Sequence, residues 1–271
     1  MKRQFLTVAV WAVFGFLVVW AIILNAFGLR DTAWNYLFNA GIALLCVLGA
    51  LQSLSAWRRD IQNRTGNHWL HTLFFAQFLS YALAFLSWTY ANLVLRIDMP
   101  YPSLPDVFFI VFYILLIAGF FLFLNKIGVV FSVFVWFEMS AVGIGLFIVL
   151  YSFLTSIALD TDISALARIF NILYPAFDVI LVSLAVGLLR TTTGSLNPRL
   201  LLLVFGFIGL AAADTIFSFR SSNELYWNGD ISDVLFMITT FLLVVGVQEI
   251  DAIIETRSRE LSSEALALDL P

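Results

Sequence analysis

The sequence predicts an all-α fold: a polytopic membrane helix bundle of eight transmembrane helices with both termini cytoplasmic. Three observations carry that expectation. First, 62% of the 271 residues are hydrophobic and 12% are charged, against roughly 45–50% and about 25% in soluble domains. The mean hydropathy is +0.98. Second, the apolar residues gather into eight runs, each near the roughly 20 residues that a spanning helix needs. Third, most basic residues fall on one side of the membrane once the N-terminus is placed inside, as the positive-inside bias requires.

The runs read as 5–28, 33–57, 69–95, 106–125, 129–157, 166–190, 200–219 and 231–250. Residues 1–250 then form the membrane domain and 251–271 a cytoplasmic amphiphilic helical tail. The first run follows Lys2-Arg3 like a signal peptide, but it is too long and lacks a small-residue cleavage site, so it is expected to be retained. GLRD at 28–31, RRDIQNRTGN at 58–67 and RIDMPYPSLP at 96–105 separate the next runs. NKIG at 125–128 is the shortest break and predicts a tight antiparallel hairpin of the fourth and fifth spans. LDTD at 159–162, TTTGSLNPR at 191–199 and RSSNELYWNGD at 220–230 separate the last ones. Lys2, Arg3, Arg58, Arg59, Arg64, Lys126, Arg190, Arg199, Arg257 and Arg259 then lie inside, and Arg30, Arg96, Arg168 and Arg220 outside. In the tail, Leu261, Ala265 and Leu268 share one helical face with Ile254. That face reads either as a solvated, fraying helix end or as a partner-binding or dimerising stalk.

Several function classes are excluded early. A net charge of −4 without a basic face argues against nucleic acid. The single cysteine, Cys46, lies in an apolar run and allows no internal disulfide. Lys2 and Lys126 sit at segment ends, which leaves no mid-membrane lysine for a retinal Schiff base. No glycine-rich phosphate-binding motif occurs. His68 and His71 stand at i, i+3 spacing without an adjacent acid, so they read as an interfacial pair, and no metal or cofactor is assigned. No hydroxyl has a base at useful spacing, which argues against catalysis. Gly143, Gly145, Gly206 and Gly209 mark close helix contacts.

The carboxylates form the one informative pattern. The even-numbered spans start with an acid: Asp106-Val107, Asp178-Val179 and Asp233-Val234, with Asp31 in a looser version. Tyr101-Pro102 and Tyr174-Pro175 precede two of them. Asp106 and Asp233 read first as helix-start acids, with Ser103 and Asp106 at capping-box spacing. Asp178, Asp214 and Glu138 lie within spans. At about 1.5 Å per residue, Glu138 is about 18 Å from Lys126, Asp178 about 18 Å from Arg190, and Asp214 about 22 Å from Arg199. A carboxylate between the middle and outer third of a bilayer faces the bundle interior or a wet cavity and holds a partner or a proton. Pro175 is expected to kink the sixth span and help to open a pocket. The site expectation is therefore a ligand, cation or proton site near the outer leaflet, built by spans five to seven. It comprises Asp178, Asp214 and Glu138, rimmed by Asp106 and Asp233, with Tyr174. The alternative is hydrogen-bond glue between helices.

The stretch YPSLPDVFFIVFYILLIAGFFLFL resembles the proline–aspartate-led span of the multi-pass membrane input regions that precede diguanylate cyclase, phosphodiesterase or kinase domains in bacterial signalling proteins. AAADTIFSFRSSNELYWNGDISDVLFMITTFLL is similar to a second recurrent segment of those regions. The resemblance implies a sensory bundle of the inner membrane whose outer pocket biases the helix leading into a cytoplasmic effector. The sequence ends about 21 residues beyond position 250, so the expectation is a standalone relative, a shortened piece, or a subunit that works through a partner. Three functions follow: a non-enzymatic sensory or partner-regulating module; a proton- or ion-coupled transporter using Glu138, Asp178 and Asp214; or a structural or pigment- and lipid-binding subunit of a larger membrane complex. The expected partners are the lipid bilayer and, through the tail, a cytoplasmic effector, a membrane-complex subunit or a second copy in a homo-oligomer.

Overall fold

Inside a bilayer a chain can satisfy its backbone N–H and C=O groups only within itself, so each apolar run becomes a helix. The computed structural model describes residues 2–97, 99–153, 164–191 and 198–268. Its helices are α1 (Lys2–Ala26), α2 (Ala33–Asn63), α3 (His68–Tyr90), α4 (Leu104–Lys126), α5 (Val133–Phe153), α6 (Ala165–Thr191), α7 (Pro198–Ser222) and α8 (Ile231–Gln248). All eight are long and apolar enough to cross a membrane, which makes the chain a multi-pass membrane protein. A π-helical turn, Ala91–Leu95, extends α3, and a further helix, α9 (Ile250–Leu268), follows α8 after Glu249. Among the described residues there is no strand.

Two boundaries differ from expectation for physical reasons. The second span was expected to end at 57, yet α2 continues through Arg58, Arg59 and Asp60. Those charges find partners. Asp60 is buried and accepts from the Asn67 N–H at 2.8 Å and from Thr65, and Arg59 reaches Ser55 at 3.0 Å. The helix stops where Arg64 turns left-handed, φ 54°. The fifth span starts at Val133 instead of 129, because Ile127–Ser132 is not helical. The tight α4–α5 hairpin is not formed. Instead α5 packs chiefly on α6, where an added Cβ at Gly143 would meet Ser183 at 2.8 Å and one at Gly187 would meet Met139 at 2.5 Å. Gly145 has open space around it. The expected end of the fifth span at 157, the LDTD break, most of the TTTGSLNPR break, and the side chains of Leu261, Ala265 and Leu268 lie outside the described residues.

Packing follows a ring. α2 packs on α3, α3 on α4, α4 on α6, α6 on α7, and α7 on α8, and α8 closes the circuit on α2. The core inside it is aromatic, with Phe38, Phe74, Phe78, Phe112, Phe120, Phe123 and Phe207 fully buried. α7 and α8 approach closely: a Cβ at Gly246 would meet Leu203 at 2.7 Å and one at Gly209 would meet Thr239 at 2.5 Å. α1 packs outside the ring on α2 and α8, and α5 outside it on α6. Both show long apolar faces to lipid, such as Val8, Phe16 and Ile22, or Phe137, Ile144 and Ile148.

The two ends of the ring differ. Gln248 hydrogen-bonds Thr7, so α1 begins where α8 ends. At this terminal end His71 Nε2 lies 3.0 Å from Asp251 on α9, Arg59 lies 3.6 Å from the same acid, and Arg199 pairs with Glu249 at 3.0 Å. His68 turns instead to Asp60 at 3.6 Å, so the two histidines do not converge. The connections 27–32, 99–103 and 223–230 gather at the opposite, far end.

Candidate functional site: a carboxylate-lined cavity

The ring encloses a cavity of about 310 Å³ near its far end. Residues of α2, α3, α4, α6, α7 and α8 line it, together with the connections before α4 and before α8. Among the described residues three acids face it, Asp106, Asp214 and Asp233, and no Lys, Arg or His lines it.

Each acid is placed by a local rule. Helix α4 starts at Ser103 with a capping box, which satisfies free N–H groups reciprocally. Asp106 Oδ2 accepts from the Ser103 N–H and Oγ, both at 2.7 Å. Its Oδ1 remains free to accept from the Tyr174 hydroxyl at 2.9 Å. Helix α8 starts at Asp230, whose carboxylate accepts from the Ser232 N–H at 2.8 Å and pairs with Arg220 Nε at 2.5 Å. One turn on, Asp233 accepts from the Gly229 N–H at 2.6 Å and the Tyr226 hydroxyl at 3.2 Å. Gly229 sits at φ 91°, where a side chain would be strained. Asn228 ties this loop across the ring by accepting from Trp88 Nε1 and Asn39 Nδ2, both at 2.8 Å.

The third acid belongs to a deeper group. Tyr113 lies seven residues after Asp106, on the same helical face. Its ring stacks on Phe177 at 5.3 Å and 13°. Its hydroxyl lies 2.7 Å from Asp178 Oδ1 and also contacts Asp214 Oδ2. A phenol carries one proton and can donate only one of these bonds. The second contact is a hydrogen bond only with a proton on one of the carboxyls.

Nearer the mouth, Tyr101 donates to Asn171 Oδ1 at 2.7 Å. Burial, then the negative charge of Asp106 and Asp214, pushes its phenol above the usual range. Burial, then Asp233 and Asp230, does the same to Tyr226. Both therefore stay neutral hydroxyl donors. Thr240 on α8 is the polar neighbour of the buried Tyr81 hydroxyl.

Of the expected site residues, the structure brings Asp106, Asp214, Asp233 and Tyr174 to one cavity, and Asp178 lies behind Tyr113. Glu138 is not there, and α5 contributes nothing to the lining. Glu138 pairs with Arg190 at 2.9 Å, both partly exposed. Its expected depth assumed a helix running on from Lys126. With α5 starting at Val133 it lies only about 7.5 Å into its helix. Pro175 lies inside α6 next to Tyr174. Thr89, Asn92 and Thr215 turn their donors back onto carbonyls of their own helices. Sequence reasoning missed Tyr113, Asn39, Tyr81, Trp88 and Tyr226 as site residues. The Asp106–Tyr113 spacing and the Asn35–Asn39 pair within an apolar helix were the signals available.

Comparison with known protein families, with characterised proteins and with solved structures returned no match.

Proposed function

We propose that the chain is a non-enzymatic membrane module whose cavity takes a small ligand and thereby regulates a cytoplasmic output or a partner protein. One observation carries the reading: a cavity of about 310 Å³ whose described lining holds three acids and no base, inside an otherwise apolar bundle. Carboxylates are expensive at such positions and mark functional sites by default. Cavities of this size, mostly apolar with a few convergent polar groups, suit small molecules. The bias of the basic residues supports placing the cavity end outside and both termini in the cytoplasm of a cell membrane. The resemblance to bacterial sensor input regions points the same way.

A route for the signal runs along one helix. α8 carries Asp233 and Phe236 into the cavity wall and leads at its other end into α9. There Asp251 is held by His71 and Arg59. A ligand acts on this route only if it stabilises two packings unequally. The relay required of a proton-coupled carrier loses support, because Glu138 is paired with Arg190 away from the other acids.

The test is a fluorophore on α9, attached through Thr256→Cys in the chain reconstituted in lipid nanodiscs. Buried Cys46 stays unlabelled. Asp178→Asn and Asp214→Asn are expected to shift the emission or anisotropy of the label while the protein elutes and melts as a folded species. If both variants fold and the label reports no change, the acids are inter-helix glue and the proposal fails.

A further inference from the structure

We propose that the cavity selects an organic cation: a protonated amine carried on a small apolar body. The inference rests on reading the cavity as a binding site and names its ligand class. Three features of the lining converge on it. The charge has one sign, since among the described residues acids face the cavity and no base does, so an anionic ligand would enter against three carboxyl groups. The acids stand apart. Among the described residues no three His, Cys, Asp or Glu side chains come together to hold a metal ion, which disfavours a bare divalent cation and suits a larger, diffuse one. The walls are aromatic: Tyr81, Phe85, Trp88 and Phe217 face the cavity, and ring faces attract ammonium groups.

The acids are not equivalent. Asp106 accepts at both oxygens, from Ser103 and Tyr174, and Asp233 accepts from the Gly229 N–H and the Tyr226 hydroxyl at the start of α8. Asp214 contacts the Tyr113 hydroxyl through Oδ2, and Phe217 and Ser218 lie on its face of α7 at i+3 and i+4. Asp214 is thus the counter-ion, and the aromatic walls take the apolar body.

The test uses three probes of one size, phenethylammonium, phenethyl alcohol and phenylacetate, titrated calorimetrically into the full chain in nanodiscs. The ammonium is expected to bind at least about tenfold more tightly than the alcohol or the acid, the factor that one modest charge interaction supplies. Asp214→Asn should weaken the ammonium by about 10- to 100-fold and leave the alcohol unchanged. Ser218→Trp, which fills the cavity, should abolish ammonium binding. If the alcohol or phenylacetate binds as well as the ammonium, cation selectivity is overturned and the ligand-binding reading stands. If none of the three binds, both fall. Should Asp214→Asn not fold, the probe series on the natural chain and Ser218→Trp decide alone.

Discussion

Replacing Tyr113 by Phe removes one oxygen atom and leaves the ring on Phe177. In the native chain that oxygen serves Asp178 and Asp214 at once, at 2.7 Å from the first. Asp178 is 2% exposed and finds no water in exchange. A hydrogen bond to a charged group contributes about 1.5–3 kcal/mol in soluble proteins, whereas pairs between membrane helices average about 0.6 and reach about 1.7. With one proton shared between the two aspartates, one charged and one neutral bond are lost. The expected destabilisation is about 2 kcal/mol, near the top of the membrane range because the site is closed to solvent. The assay is reversible unfolding in mixed detergent micelles, followed by tryptophan fluorescence. Asp178→Asn supplies the control: once the shared proton is gone, Tyr113→Phe should cost less, with a coupling of about 0.5–1 kcal/mol. A change under about 0.5 kcal/mol, or strict additivity of the two substitutions, would refute the shared-proton account.

Three further outcomes follow from the same geometry. An infrared spectrum at neutral pH should contain a protonated-carboxyl stretch that disappears in Asp178→Asn; its absence from the natural chain contradicts the proton count. Asp230→Ala should lower stability by about 2 kcal/mol, about half from the lost N-cap and half from Arg220, which is partly exposed, whereas Asp230→Asn should keep the capping half. Equal losses in the two variants would assign the whole effect to the ion pair. Glu138→Gln should leave phenethylammonium affinity unchanged and alter stability by less than about 1 kcal/mol, as expected of a partly exposed pair.

The legible part of the fold was the part that a bilayer dictates. Eight apolar runs had to become helices, and the capping box at Ser103 and Asp106 could be read as four letters. The errors came where charge or geometry was settled elsewhere in the chain. Asp60 continues α2 because Thr65 and Asn67 return to meet it, and Ile127–Ser132 breaks the count that placed Glu138 too deep. The acids of the site stood out because charge is scarce in this sequence. Their partners did not: with 28 Phe, 8 Trp and 8 Tyr, nothing local separates an aromatic facing lipid from one facing a cavity. Tyr113 acquires its place only when α6 and α7 come against α4, and Trp88 only when the loop before α8 meets α2, a contact between segments nearly 200 residues apart.

The most direct measurement of the central claim is thiol modification at Ser218→Cys, inside the cavity, in sealed vesicles with the cavity end outward. Cys46 is fully buried and remains silent. Relative to a free thiol in solution, a cationic methanethiosulfonate should react there at least about tenfold faster than its anionic counterpart, as focused negative potential in a cleft requires. Phenethylammonium should protect the site. Equal rates for the two reagents, or faster attack by the anion, would contradict the account.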